Sequence, residues 1–98
     1  MRDILNFKIK DKIQHANRTY LLLAMYEHEV LPETSVSNIV AITNNGNLVW
    51  VVEAPTTKHD IYERFYFEDD KLFAVTSAGQ LHLIDRDTGK VINSRMLK

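Results

Sequence analysis

The amino-acid sequence predicts an all-β protein made of two antiparallel four-stranded units, packed as a sandwich or as an incomplete propeller. Short runs of β-branched and aromatic residues recur along the chain, and turn-forming groups such as Asn44-Asn45-Gly46 separate them. All 3 glycines fall in these turn groups. No stretch shows an extended helical periodicity, and Pro32 interrupts the segment 27–37, where a helix could otherwise hide.

The first unit covers about residues 5–53, with strands predicted at 5–14, 19–26, 38–43 and 47–53. The first strand carries Asp11-Lys12, which could interrupt it. The apolar run 20–26 fits a helix or a strand by periodicity alone, but the turn-like Asn17-Arg18 before it and Leu31-Pro32 after it favour a strand. The last two strands form a hairpin, because the Asn and Gly residues of 44–46 tolerate positive φ.

The second unit covers about residues 61–96, with strands predicted at 61–67, 71–76, 80–85 and 90–96. The turns between them are Glu68-Asp69-Asp70, Ser77-Ala78-Gly79 and Arg86-Asp87-Thr88-Gly89. Turns this short make successive strands pair as an antiparallel meander. A chain of 98 residues is long enough for one modest core, so we expect a single domain over 1–98.

The tripeptide Asp87-Thr88-Gly89 has the letters of the aspartic-protease signature, in which two chains each bring one aspartate to a shared dyad. Apolar or small residues bury the motif in that class, whereas Arg86 and Lys90 flank it here. The same tripeptide suits a turn, because Asp and Thr bond nearby backbone amides and Gly takes positive φ. We therefore interpret Asp87 as a turn residue and expect no catalytic residue and no enzyme activity.

The composition argues against several classes of partner. A net charge of -1 and a pI near 6.4 give no case for nucleic acid or an anionic membrane. The absence of cysteine excludes disulfides and thiolate metal sites. His28-Glu29 and His59-Asp60 could each supply metal ligands, but none of the 4 histidines has the spacing of a recognisable site. We expect no metal, and the sequence also lacks a glycine-rich phosphate loop or other cofactor motif.

Nothing in the sequence reads as a targeting or membrane element. The apolar run 20–26 is far shorter than the roughly 20 residues that a membrane helix needs. Charges interrupt the N-terminal segment every few residues, unlike the apolar centre of a signal peptide. The expected location is therefore the cytoplasm.

The segment 71–92, KLFAVTSAGQLHLIDRDTGKVI, resembles a blade of the quinoprotein-type (PQQ-like) β-propellers. The residues that carry the resemblance are Ala78-Gly79, Asp85 and Thr88-Gly89-Lys90. The docking tryptophan of such blades falls on Asn93 in this unit, whereas the first unit has Trp50 four residues after Gly46. The resemblance implies blade topology alone, because two blades cannot close a ring around a quinone or another ligand.

The whole chain also resembles small bacterial proteins that combine a hairpin like residues 38–50 with a hairpin like residues 83–90. Some of those proteins are immunity proteins, which bind and block a toxin. This resemblance implies a non-catalytic protein-binding module that acts by steric occlusion. The alternative is a small-ligand-binding or sensory β domain with a pocket between its sheets.

Candidate contacts for a protein partner lie around the first strand of the second unit. Alternation places Ile61, Glu63, Phe65 and Phe67 on one face, which we predict to be the core face. The other face carries Tyr62, Arg64 and Tyr66, and Tyr and Arg are frequent at interface hot spots. The acidic turn of Glu68, Asp69 and Asp70 could meet a basic partner. An outward-facing strand and a solvated turn explain the same residues without a partner.

Strands 47–53 and 71–76 are apolar on both sides, which is typical of strands buried on both faces. Two small sheets packed together cover only their inner faces. Apolar surface should therefore remain, unless loops or the N-terminal segment cover it. We accordingly expect a homodimer or a protein partner, such as a toxin.

Overall fold

The computed structural model of the chain describes residues 8–24, 37–56 and 60–97. These residues form eight strands and no helix. The strands are β1 (Lys8–His15), β2 (Arg18–Ala24), β3 (Ile39–Thr43), β4 (Leu48–Val51), β5 (Tyr62–Glu68), β6 (Lys71–Thr76), β7 (Gln80–Ile84) and β8 (Val91–Met96). The predicted strand residues 5–7 and 25–26 lie outside the described residues, as does nearly all of the segment 27–37.

The strands form two four-stranded antiparallel sheets, with the orders β1-β2-β3-β4 and β5-β6-β7-β8. Each sheet is a simple meander, because every strand pairs with its neighbour in sequence. The predicted all-β class and its two four-stranded units are therefore confirmed. The irregularity expected at Asp11-Lys12 is a register shift between Ile9 and Asp11, and β1 continues through it.

One hydrophobic core lies between the sheets and joins them as a sandwich. The first sheet contributes Tyr20, Leu22, Ile39, Ala41, Trp50 and Val52. The second sheet contributes Tyr62, Phe65, Leu72, Ala74 and Ile84. Burying a large aliphatic or aromatic side chain stabilises a fold by about 1.5–3 kcal/mol, so this shared cluster is the main force that holds the sheets together.

The other face of the first sheet is also buried at its centre. Leu21, Leu23 and Val40 form a second cluster, with Ile42 packed against it. Strands β2 and β3 are therefore buried on both faces. The sequence predicts the same burial for strands 47–53 and 71–76, and β6 has buried or half-buried apolar residues on both faces. The prediction is wrong for β4, where Leu48 and Val51 are each 40% exposed. Exposed apolar surface remains on both sheets, at Ile9, Leu48 and Val51 of the first and at Tyr66 of the second among others.

The turn between β7 and β8 holds the tripeptide that resembles the protease signature. The Asp85 carbonyl accepts hydrogen bonds from the backbone N–H groups of Thr88 (3.3 Å) and Gly89 (2.7 Å). The Asp85 carboxylate accepts one from the Asp87 N–H at 2.8 Å. Gly89 has a φ of 77°, a conformation that suits glycine. Asp87 thus lies in the predicted turn, and its side chain points to solvent with 74% exposure.

Candidate interaction surface

A β-bulge at the start of β5 places Tyr62 on the opposite face from the one predicted. Tyr62 pairs with Thr76 and Arg64 pairs with Val75, so Glu63 is the extra residue. The bulge turns Tyr62 inward, and its ring is 1% exposed within the shared core. The prediction that Tyr62 shares a surface face with Arg64 and Tyr66 is therefore wrong, because simple alternation does not hold across a bulge.

Arg64 and Tyr66 do lie together on the face of the second sheet that points away from the first. The strand register extends this surface, here called the outer face, across all four strands. Its central row is Tyr66, Phe73, Leu83 and Asn93. Its basic flank is Arg64, Val75, Leu81 and Arg95. Its acidic flank is Glu68, Lys71 and Asp85. Asp85 follows Leu83 by two positions and so lies on the same side of the chain.

The central row is apolar and partly open to solvent. The rings of Tyr66 and Phe73 stack, with centroids 5.4 Å apart and planes 20° from parallel. Tyr66 is 38% exposed, while Phe73 and Leu83 are half-buried. A groove of about 180 Å³ runs beside them, lined by Phe73, Leu83 and Arg95 among others. Such a row can bury apolar area against a partner, because two of its large side chains are already held in place by stacking.

The charges of the outer face are arranged on the two sides of the central row. Arg64 and Arg95 are exposed, and neither forms an ion pair within the described part of the chain. Glu68 and Lys71 lie opposite each other on neighbouring strands. Between the two arginines, Val75 and Leu81 are each 8% exposed. The outer face therefore offers two guanidinium groups to carboxylates of a partner.

The residues of the predicted acidic turn do not act as one cluster. Glu68 belongs to the acidic flank, and Asp69 is exposed at the turn with a φ of 51°. Asp70 instead contacts His15 of the first sheet at 2.5 Å and also Arg86. Hydrogen bonds from His15 and then Arg86 lower the pKa of the Asp70 carboxyl below its ordinary value. Asp70 therefore links the two sheets.

Trp50 makes the second link between the sheets. Its indole N–H donates to the Arg86 carbonyl at 2.7 Å, and its ring lies against the α-carbon of Gly89. Next to it, the Glu53 N–H donates to the Gly89 carbonyl at 2.8 Å. The Glu53 carboxylate accepts from the Val91 N–H, also at 2.8 Å. The tryptophan of the first unit is thus docked on the turn of the second.

Asn38 makes a third link, at the opposite end of the strands of the second sheet. It is 1% exposed, and its side-chain amide donates to the carbonyls of Leu23 (3.1 Å) and Tyr62 (2.8 Å). Its side-chain oxygen accepts from the Tyr62 N–H at 3.1 Å. The Tyr62 hydroxyl donates to the Glu53 carbonyl at 2.7 Å. Burial, and then the charges of Glu53 and Asp60, raise the pKa of Tyr62 far above its ordinary value.

The chemistry of the remaining polar residues is limited. Among the described residues, no group of three or more histidine, aspartate and glutamate side chains could hold a metal ion. His82 is fully buried beside Tyr62, and its Nδ1 has no hydrogen-bond partner among the residues that the structure describes. His28 and His59 lie outside the described residues. A cavity of about 460 Å³ opens at the edge of the sandwich, lined by residues that include Ile9, Leu23 and Glu63.

Sequence reasoning found the β5 part of the outer face and missed the rest. Phe73, Leu83 and Arg95 belong to three other strands, and their convergence depends on sheet register. The sequence contains one signal for this surface, which is that β6 has apolar residues on both of its faces. That signal predicts a partner for the sheet but does not say which face carries arginines.

The fold and this surface define a small all-β sandwich whose second sheet has a partly open apolar face and whose sheets are joined by polar contacts. Within the described ranges, no helix is long and apolar enough to cross a membrane. The chain belongs to the family described as a domain of unknown function, DUF7957, whose model matches residues 4–96. A search of curated proteins found no match to the chain.

Proposed function

We propose that the protein is a non-catalytic protein-binding module and that the outer face of its second sheet is the contact surface. The observation that carries this proposal is the open Tyr66–Phe73 stack between two flanks of charge. Tyrosine and arginine dominate interface hot spots, and Arg64 and Arg95 have no ion-pair partner among the described residues. A partner that brings an apolar patch and carboxylates would cover all three features.

Most specifically, we propose a small bacterial immunity protein that binds a toxin in the cytoplasm and blocks it sterically. The support is the resemblance of the hairpins at 38–50 and 83–90 to those of such proteins. Steric occlusion needs a rigid body, and the links through Asn38, Trp50 and Asp70 supply rigidity. We also propose that the two units are related blade-type repeats, which the docking of Trp50 on Gly89 supports.

A second candidate is the small-ligand-binding β domain. The space between the facing sheets is filled by the shared core, so a pocket there has no support. The observation that favours this candidate is the 460 Å³ cavity at the edge, because ligand pockets measure about 300–1,000 Å³. Substitution of Leu23 or Glu63 would weaken binding of a ligand in this cavity and leave the outer face intact.

Affinity purification from the bacterium that encodes the protein tests the leading proposal. The tagged wild type is compared with Tyr66→Ser on the outer face and Lys12→Glu on β1. We expect one protein to be captured by the wild type and by Lys12→Glu, and lost with Tyr66→Ser. The purified partner should bind with a nanomolar Kd, as antibody–antigen surfaces of standard size do, and its toxicity should cease on co-expression. Equal capture by all three proteins would refute the proposed surface.

A further inference from the structure

The outer face is self-complementary in charge. Its basic flank carries Arg64 and Arg95, and its acidic flank carries the two carboxylates of Glu68 and Asp85 against one ammonium group of Lys71. The two flanks lie on opposite sides of the apolar central row. Each flank is two residues along the strands from that row, a distance of about 6.8 Å. Consider a two-fold axis that lies between two facing copies and parallel to the central row. Rotation about it brings the basic flank of each copy opposite the acidic flank of the other.

We infer that the outer face binds a second copy of this chain in a two-fold symmetric dimer. With the symmetry axis along the central row, Tyr66 and Phe73 pack against the same residues of the second copy. Arg64 then faces Glu68 of the second copy, and the reverse pair forms at the same time. Sheets that pack face to face lie about 10 Å apart, a gap that the side chains of arginine and glutamate together can bridge. At the other end, Arg95 on β8 lies one strand, about 4.8 Å, to the side of Asp85 of the second copy, within reach of a long side chain.

The alternative axis, along the strands, gives a poorer match. It would place Arg64 on β5 against Arg95 of the second copy on β8, since these residues share the basic flank at opposite edges of the sheet. Like charges facing each other across an interface oppose association. The charge pattern therefore selects one two-fold arrangement.

In this two-fold arrangement each copy contributes its own outer face to the contact. No outer face is left open afterwards, so the assembly closes at two copies.

The inferred dimer rests on the proposed function in one respect, which is that the outer face binds protein. The bound protein in this case is a second copy of the chain. A toxin and the second copy would then compete for the same surface. The dimer can still exist where the toxin proposal fails, because its contacts come from this chain alone.

Charge reversal followed by sedimentation equilibrium tests the dimer. The wild type should have twice the chain mass of 11.4 kDa. Arg64→Glu and Glu68→Arg should each raise the dimer Kd by at least about a hundredfold, because each places like charges face to face twice in the symmetric interface. The double variant Arg64→Glu/Glu68→Arg should restore the wild-type Kd to within about tenfold. Lys12→Glu, with the same charge change as Arg64→Glu, should leave the dimer intact.

Circular dichroism melting of each variant separates lost association from lost folding, since both sites are exposed and the monomers should remain folded. A wild type that sediments as a monomer well above micromolar concentration overturns the dimer and leaves the partner-capture result untouched. Folded single variants that stay dimeric, or a folded double variant that stays monomeric, also overturn it. Loss of partner capture alone, with the dimer intact, counts against the toxin proposal and not against the dimer.

Discussion

Replacing Gly89 by alanine tests the docking of Trp50 on the β7–β8 turn. A Cβ at residue 89 would lie 2.7 Å from Cε3 and 2.8 Å from Cδ2 of the indole ring. Contacts this short do not persist, so either the ring or the turn must move. Movement of the ring breaks its 2.7 Å hydrogen bond to the Arg86 carbonyl, because the donor and the contact belong to the same rigid indole.

The structure contains a matched control for the backbone part of this effect. Gly46 has a φ of 87°, close to the 77° of Gly89, but a Cβ there meets nothing within 4 Å. Alanine in this left-handed region costs about 1–2 kcal/mol at either position. Gly89→Ala adds overpacking, about 1–3 kcal/mol, and a weakened hydrogen bond, about 0.5–1.5 kcal/mol. We expect Gly89→Ala to lower the free energy of unfolding by about 3–5 kcal/mol and Gly46→Ala by about 1–2 kcal/mol.

Urea unfolding followed by tryptophan fluorescence measures both variants, since Trp50 is the single tryptophan of the chain. For an m-value of about 1–3 kcal/mol/M, the midpoints of the two variants should differ by about 1–2 M. Equal midpoints would refute the close contact. A comparison of Trp50→Leu with Trp50→Leu/Gly89→Ala adds a check, measured by circular dichroism because both variants lack the tryptophan. Removing the indole should reduce the effect of Gly89→Ala to the backbone strain.

Three other substitutions have definite expectations. Asn38→Leu should destabilise the fold by about 3–5 kcal/mol in urea unfolding, because it removes three buried hydrogen bonds and leaves the N–H of Tyr62 unpaired; a change below about 1 kcal/mol would contradict this role. Asp70→Asn should be less stable than wild type near neutral pH. Since the folded pKa of Asp70 lies below its ordinary 3.8, this difference should persist above pH 3.8 and disappear as the pH falls through the folded pKa. A difference that stays constant in acid would count against the link. Asp87→Asn should change stability by no more than about 1 kcal/mol, because it loses only an exposed pair with Arg18, and capture of a partner should be unchanged.

The strands and turns could be predicted because their signals are local. Gly46, Gly79 and Gly89 each have φ between 77° and 87°, so the turn chemistry read from the sequence is the chemistry of the fold. The predicted face of Tyr62 failed for the opposite reason. The bulge at Glu63 depends on how β5 pairs with β6, and the residue type at that position does not predict it.

The links between the sheets could not be read from either unit alone. The sequence showed Trp50 in the first unit and Gly89 in the second, but a stacking contact between residues far apart in the chain is a property of the packed sandwich. Asn38 reads as the polar start of an apolar strand. In the folded chain, Tyr62 at the start of β5 lies next to Asn38. The Asn38 side-chain amide then bonds the carbonyl and the N–H of Tyr62, as the backbone of a neighbouring strand would.

These polar links decide how well the outer face can serve as a binding surface. The apolar core between the sheets is non-directional, so by itself it would allow the sheets to slide or rotate. The contacts of Asn38, Trp50 and Asp70 are directional, and they fix the second sheet at both ends of its strands. The Tyr66–Phe73 stack is therefore held before a partner arrives, and association loses less conformational entropy than a mobile sheet would. It follows that Gly89→Ala, which lies on the seam and not on the outer face, should also weaken binding at the outer face.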